Sequence, residues 1–292
     1  MPSMKAVKRR ISTVKNTQQI LKAMNLVATA KVQRFRTKMD AVRPMFNEAN
    51  DFLTTGINHH DASDSPYYQQ RDVKRVAYVV IAGERSLCGS YNSNIQKLAL
   101  NDMQGKNERI ITIGAKGKDY FVRRDKEHVA EYTGILENAQ FSDAEAVVRK
   151  LVELYNHPDE AERVDEVYLA YTRFETLLSH VPTVTKLLPF GNDRSQEGQD
   201  ISADADKNQE VIFEPDVVTY LNKAVPMYLT MFIYGAMLES SVCEQAARMT
   251  SMDSASRNAE ELVEKLTLQY NRQRQGAITQ EISEIVGGAN AI

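Results

Sequence analysis

The sequence predicts an α/β fold with a long coiled coil, in which N- and C-terminal helices pair antiparallel and carry a central, open, mostly parallel α/β domain. Apolar and small residues recur in alternating steps of four and three over residues 217–277 and again over residues 7–53. This period lets a helix hold one face against a partner helix along its length. Between the two runs, apolar strands alternate with helical patterns, which is typical of an open parallel sheet.

The C-terminal run is the longer of the two, at roughly 90 Å for an unbroken helix. One compact domain cannot bury a helix several times the average length. The N-terminal run would be about 70 Å long. Because the two runs are the two ends of one chain, the simplest arrangement is one intramolecular antiparallel coiled coil. Pro226 lies near the start of the second helix, which therefore either begins near this proline or kinks there.

The positions that recur in steps of four and three form one face of each helix, which we call its seam. Polar residues on the seam of the N-terminal helix leave two interpretations open. Gln18 and Asn25 occupy seam positions, where polar side chains fix register and pairing at a cost in stability. Alternatively, both residues face a short exposed stretch. Ser3 is predicted to cap the helix, and Pro44, its interior proline, predicts a kink or a junction.

A series of apolar segments predicts the central domain. The first is nearly continuous, as in a parallel strand covered on both faces. Helices are predicted around Ile95, over residues 119–124 and from Ser142, where Glu145 completes a capping box. We expect the last strand at a sheet edge because it contains Pro182. The expected strands are residues 75–82, 110–113, an irregular strand near 129, 164–173 and 181–188.

These patterns divide the chain into five predicted segments. The fourth of them is polar and acidic, which is typical of a loop or mobile insertion. The segments are an N-terminal coiled-coil helix (1–56), a linker (57–72), the α/β domain (73–190), an acidic loop (191–212) and a C-terminal coiled-coil helix (213–292).

Charge and cysteine content limit the classes of partner and compartment. The net charge of −3 argues neither for nor against nucleic acid, and we expect no nucleic-acid partner. The first helix is basic, which indicates either a solvated face or contact with an acidic protein or with phosphate. Cys88 and Cys243 match no metal spacing and are expected to be free thiols in a reducing compartment. With no 18-residue apolar run and no signal segment, we expect a cytoplasmic or cytoplasm-facing protein.

Neither a metal site nor an enzyme active site is predicted. His59, His60 and Asp61 lie in a polar loop, but no further ligand is spaced to help them bind a metal. Residues 83–89 follow the first strand, where phosphate-binding loops lie, yet they contain neither a Gly-x-Gly-x-x-Gly nor a Gly-Lys-Ser/Thr motif. Cys88 has no nominated base. A small α/β enzyme on a stalk therefore stays a minor alternative.

Several motifs resemble the gamma-subunit family of F-type ATP synthases. Near the C-terminus stands Ile278-Thr279-Gln280-Glu281, followed by Glu284 and then Gly288-Ala289. Together the motifs are specific, and the resemblance covers the whole chain. The other matching stretches are residues 8–11, 22–28, 87–89, 181–183, 244–249 and 270–275.

The resemblance implies a central rotor shaft that couples ion-driven rotation of a c-ring to ATP synthesis or hydrolysis. Its implied partners are the alpha–beta hexamer, the epsilon subunit and the c-ring, with one copy in each complex. It implies no catalytic residue, no cofactor and no metal, and a peripheral position on the cytoplasmic side of the plasma membrane. The alternative is a non-rotating coiled-coil scaffold or tether.

The resemblance also implies the contact residues. Those facing the beta subunits are expected to be Met24, Arg248, Arg274, Gln275, Thr279 and Glu284. Phe213 and Glu214 are expected to face the c-ring. The cysteine pair that chloroplast members carry is missing, so redox switching through such a pair is not expected. We also expect the isolated chain to aggregate, because a sleeve of partner subunits should cover its tip.

Overall fold

The computed structural model describes residues 3–57, 64–190, 213–214 and 216–289 of the chain. Helix α1 spans Met4–Ile57 and helix α5 spans Val217–Ala289. Between them, the described residues form three shorter α-helices and a 3-10 helix at Ile135–Asn138; the α-helices are α2 (Tyr91–Asp102), α3 (Ala115–Val122) and α4 (Phe141–Tyr155). The acidic segment 191–212 and the His59-His60-Asp61 cluster lie outside the described residues.

In the described part of the chain, five strands form one sheet in the order β3-β2-β1-β4-β5. Strand β1 pairs in parallel with β2 and with β4, and β2 pairs in parallel with β3. Strand β5 is antiparallel to β4. The prediction of an open, mostly parallel sheet is therefore confirmed. The strands are β1 (Val76–Ile81), β2 (Glu108–Ile113), β3 (His128–Tyr132), β4 (Glu166–Phe174) and β5 (His180–Leu188).

Strand β5 lies at the sheet edge, as Pro182 predicts. Proline has no backbone N–H to give to a further strand. On the same strand, the Lys186 ammonium lies 2.6 Å from the Glu166 carboxylate of β4. A proline and a charged side chain both discourage the pairing of this edge with another chain.

Two helix starts differ from the sequence-based predictions. Helix α4 begins at Phe141 rather than after Ser142, because the Asp143 carboxylate accepts the Gln140 backbone N–H at 2.9 Å. Helix α3 begins at Ala115, earlier than residue 119. Helix α5 begins at Val217, the first position of the predicted apolar period, and contains Pro226. At its start the Asp216 carboxylate accepts the Thr219 N–H and the Thr219 hydroxyl, each at 2.8 Å. These hydrogen bonds to Thr219 also lower the pKa of Asp216.

One compact unit combines Met1–Ala30 with Arg248–Ile292. The Asn25 Nδ2 donates to the Met249 carbonyl at 2.9 Å. Val7 is 3% exposed, and within this unit only α5 residues beyond 248 can cover it. Residue 25 therefore lies beside 249 and residue 7 beside a later position, which makes the two helices antiparallel. The buried seam positions of this unit are Val7, Ala28, Met252, Ser256, Ala259 and Leu266.

The other unit, Lys31–Ala247, contains the sheet. Val32 and Phe35 of α1 share one hydrophobic core with α4 and with α5 residues such as Leu221 and Leu229. The Phe46 ring lies 5.9 Å from the ring of Tyr228 and 5.7 Å from that of Phe232. The second face of the sheet packs against α2 and α3. The core of this unit therefore includes both terminal helices as well as the sheet.

Candidate functional site

The C-terminal end of α5 extends past its partner in the coiled coil. Because Asn25 lies beside Met249 in an antiparallel pair, α1, which begins at Met4, can accompany α5 only to about residue 270. Beyond that point, Ile278, Ile282 and Ile285 are 47%, 56% and 72% exposed. Their spacing of four and three places them on one helix face. An exposed apolar stripe of this kind marks a surface for contact with another protein.

The connection between β1 and α2 is held by hydrogen bonds from three directions. The Glu84 carboxylate accepts the Ala115 N–H at 3.1 Å and the Gly134 N–H at 2.7 Å. The Asn92 Oδ1 accepts the Gly83 N–H at 2.7 Å, and the Asn92 Nδ2 donates to the Arg85 carbonyl at 3.2 Å. Glu84 thereby caps α3, whose own N-cap residue is a glycine.

This connection presents an apolar side chain in a strained conformation. Leu87 has φ +67° and is 58% exposed. The left-handed region costs a residue other than glycine about 1–2 kcal/mol. Such strain persists where the surrounding structure determines it and is concentrated at functional positions. The loop therefore holds this apolar side chain exposed in a strained conformation.

The same connection does not resemble a nucleotide or nucleophile site. The Gly83 N–H is occupied by Asn92, and a Cβ at Gly83 would lie 2.9 Å from the Asn92 Oδ1. Cys88 is 2% exposed, and its Sγ accepts the Asn92 Nδ2 at 3.1 Å. The other cysteine, Cys243 of α5, is buried as well, and burial raises the pKa of its thiol well above the usual range. A raised pKa disfavours the reactive thiolate at Cys243.

The described residues contain neither a metal-binding cluster nor a membrane-spanning helix. Among them, no group of three or more histidine, cysteine or acidic side chains is arranged to hold a metal ion. No helix in the described ranges has an apolar stretch that could cross a membrane.

Comparison with known proteins identifies the family. A family model described as ATP synthase matches residues 3–292. An ATP synthase gamma chain from Desulforamulus reducens is 40% identical over 294 residues, with 100% of both chains covered. One from Alkaliphilus metalliredigens is 40% identical over 290 residues, covering 99% of this chain and 98% of its own. This chain belongs to the ATP synthase gamma chain family.

Solved structures support the family's fold. A chain of the Euglena gracilis mitochondrial ATP synthase, in an assembly of OSCP, F1 and c-ring, matches with a TM-score of 0.69 and 19% identity, covering 99% of this chain and 94% of its own. A chain of the Tetrahymena thermophila central stalk and c-ring matches with a TM-score of 0.57 and 21% identity, covering 81% of this chain and 99% of its own. The paired terminal helices and central sheet are thus the fold of this gamma family member.

Four of the predicted beta-contact residues lie on the unaccompanied end of α5. Arg274, Gln275, Thr279 and Glu284 are all exposed. The Thr279 hydroxyl donates to the Gln275 carbonyl at 2.9 Å, and the Gln280 Nε2 donates to the Glu284 carboxylate at 3.0 Å. These four polar side chains share the helix end with the apolar stripe.

The other predicted residues lie elsewhere in this gamma family member. Met24 is half-buried, and Arg248 is 8% exposed and interacts within the chain. Phe213 is half-buried with its ring 4.9 Å from that of Tyr220, whereas Glu214 is exposed. Sequence reasoning expected Arg248 to contact a beta subunit but did not predict its burial in the chain. It also missed Glu84, whose partners Ala115 and Gly134 are distant in sequence.

Proposed function

We propose that this chain is the central rotor shaft of an F-type ATP synthase. It couples ion-driven rotation of a c-ring to ATP synthesis or hydrolysis in an alpha–beta catalytic hexamer. The observation that carries this proposal is the family match over residues 3–292. The apolar stripe at Ile278, Ile282 and Ile285 supports it, because a helix end with this surface fits inside a sleeve of partner subunits.

The shaft acts by differential contact. Contact with the shaft shifts the conformational equilibrium of a partner subunit only if the two states of that subunit bind the shaft with different free energies. One asymmetric shaft presents a different face to each of three beta subunits and so holds them in different states. This chain supplies no catalytic residue and no cofactor, and it enters each complex as one copy.

The coupling contacts to beta are assigned to two regions. Arg274, Gln275, Thr279 and Glu284 lie on the exposed end of α5 and need no rearrangement to reach a partner. Met24 and Arg248 lie in the coiled-coil unit. Because Arg248 is 8% exposed, its role combines packing with contact, and its replacement should also disturb folding.

The membrane-side contacts are assigned to Phe213 and Glu214, which face the c-ring in this proposal. Glu214 is exposed, and Phe213 packs on Tyr220 at the start of α5. The epsilon subunit is the remaining partner. Through the c-ring, the chain lies peripherally on the cytoplasmic side of the plasma membrane.

Assembly with the alpha and beta subunits of the same organism tests this function. We expect one copy of the chain per three beta subunits and steady ATP hydrolysis that depends on it. Glu284→Gln should keep assembly and lower coupling, whereas Glu264→Gln, an exposed acidic residue elsewhere on α5, should change neither. Failure to bind the hexamer would favour the coiled-coil scaffold, which also tolerates both substitutions.

A further inference from the structure

Polar side chains of α5 make hydrogen bonds to the α/β domain inside an otherwise apolar interface. The Tyr91 hydroxyl donates to the Ser240 carbonyl at 3.0 Å, and the Thr172 N–H donates to the Ser240 Oγ at 3.3 Å. The Cys243 thiol donates to the Thr172 carbonyl at 3.6 Å. We call Tyr91, Thr172, Ser240 and Cys243 the polar joint. All four are buried, with exposures of 5%, 1%, 1% and 0%.

The joint fixes α5 to two separate parts of the α/β domain, one helix and one strand. Tyr91 is the first residue of α2, which follows β1, and Thr172 lies near the end of β4. The pairing of β1 with β4 ends at Val80 and Ala170, so Thr172 lies beyond it and has no partner from β1 in this ladder. Helix α5 instead supplies partners for both the N–H and the carbonyl of Thr172.

Hydrogen bonds at this position hold the orientation of α5 more firmly than apolar packing alone would. Hydrophobic attraction is non-directional, and the neighbouring α5 positions Gly235, Ala236 and Ala246 are small. A hydrogen bond weakens steeply when its angle or length changes. The three bonds of the joint therefore resist both rotation of α5 about its axis and sliding along it.

Ser241 adds little to this arrangement. Its hydroxyl lies 3.5 Å from the Leu136 carbonyl but 2.7 Å from the Met237 carbonyl of its own helix. One hydroxyl carries one hydrogen, which the shorter contact uses. On α5, the residues of the joint are therefore Ser240 and Cys243.

We propose, on the basis of the rotor function above, that the polar joint is where torque passes between the α/β domain and helix α5. The domain turns with the ring beneath it, and α5 turns with the domain because Tyr91 and Thr172 fix its azimuth. Loss of the joint lets the domain move while α5 lags. Ion movement and ATP chemistry then lose their fixed ratio, although both still occur.

The test uses the whole complex in sealed vesicles and compares Tyr91→Phe, Ser240→Ala and the double variant with the unmodified chain. Each substitution removes a hydroxyl and keeps the packing nearly unchanged. We expect ATP hydrolysis to persist and ion pumping per ATP to fall about twofold in each single variant, and further in the double variant.

Tyr132→Phe is the matched control, because its hydroxyl donates to the Ala146 carbonyl at 3.2 Å, away from the joint. An unchanged number of ions pumped per ATP in the double variant would refute the role of the joint in torque transfer. An equal fall of that number in Tyr132→Phe would refute it as well. Hydrogen exchange at the Thr172 amide gives a second reading, because Ser240→Ala should speed it about tenfold. If the unmodified chain fails to assemble, the rotor function fails, whereas unchanged exchange at Thr172 counts against the joint alone.

Discussion

Gly114 shows how closely two connections approach at the carboxyl ends of β1 and β2. Its φ is +98°, and a Cβ built there would lie 2.1 Å from the Ala82 carbonyl oxygen. Any side chain would therefore force the backbone of β1 or β2 to move. The glycine is required by both its conformation and its surroundings.

Gly114→Ala should lower the free energy of unfolding by about 3 kcal/mol, because strain and a backbone clash act together. Urea unfolding followed by circular dichroism measures the change. Gly105→Ala is the control: its φ is +77°, but no atom lies within 4 Å of the added Cβ. It should cost only about 1 kcal/mol, and equal losses in the two variants would show that the clash is relieved.

Glu84 offers a second prediction at this scale. Glu84→Ala should cost about 1–2 kcal/mol, because the N–H groups of Ala115 and Gly134 lose their acceptor. Glu137→Ala removes only an exposed ion pair with Arg85 and should cost less than about 1 kcal/mol. Hydrogen exchange at Ala115 should quicken in the first variant alone. Unchanged exchange there would contradict the capping role.

Glu239 predicts a dependence of stability on pH. Burial raises its pKa to about 7 from the ordinary 4.5, although Arg173 and Arg43 act in the opposite direction. The folded chain then holds a proton that the unfolded chain releases. The free energy of unfolding should therefore fall by up to about 3 kcal/mol as the pH rises from about 4.5 to about 7.

Glu239→Gln should remove this pH dependence and stabilise the chain most at pH 8. Urea titrations at pH 5.5 and pH 8 measure it, with Glu264→Gln, an exposed residue on the same helix, as the control. A variant whose stability still falls by the same amount between the two pH values would show that another group titrates.

At the scale of the element, the buried face of each long helix is the face that the repeating apolar pattern predicts. The apolar period predicted the seam positions of α1 and α5, such as Ala28 and Leu266. All of those that the structure describes are buried or half-buried. Asn25 resolves one open question, since it bonds across the seam to Met249. The Gln18 side chain is half-buried on the same seam.

Helix starts were less predictable for a physical reason. The cap of α3 is Glu84, a side chain 31 residues away along the chain, so no local motif announces it. At α4, Gln140 and Asp143 cap the helix while Ser142 lies inside it. Likewise, the bond between Tyr91 and Ser240 joins residues 149 positions apart. Periodicity predicts which face is buried, but not which polar groups meet there.

The exposed end of α5 gives a prediction for the element itself. Ile282→Ser with Ile285→Ser should reduce self-association of the isolated chain, because it removes exposed apolar area. Helix content should stay within a few per cent, roughly, since serine and isoleucine have similar helix propensities and both side chains are more than half exposed. Analytical ultracentrifugation and circular dichroism measure both effects.

Leu268→Ser is the control for this pair, because Leu268 is 61% exposed on α5 but lies where α1 accompanies the helix. It should leave assembly with the alpha–beta hexamer unchanged, whereas the double variant should weaken assembly. If both bind the hexamer equally well, the stripe is not a contact surface.

At the scale of the whole molecule, the two ends of the chain share one unit, and the residues between them form the other. The fold class follows from sequence because the helical period and the apolar strands are each strong, local signals. The division after residues 30 and 247 does not follow, because the seam runs through both positions without a break. Nothing in the pattern of apolar residues changes there.

This arrangement has a consequence for how the chain is made. On the ribosome, residues 4–30 emerge first, but their partner, which begins at Arg248, emerges after more than two hundred further residues. At about 5–20 residues per second, the delay is about 10–40 s. During that time the seam of α1 around Val7 and Ala28 has no native cover, so a nascent-chain chaperone should hold this segment until translation ends.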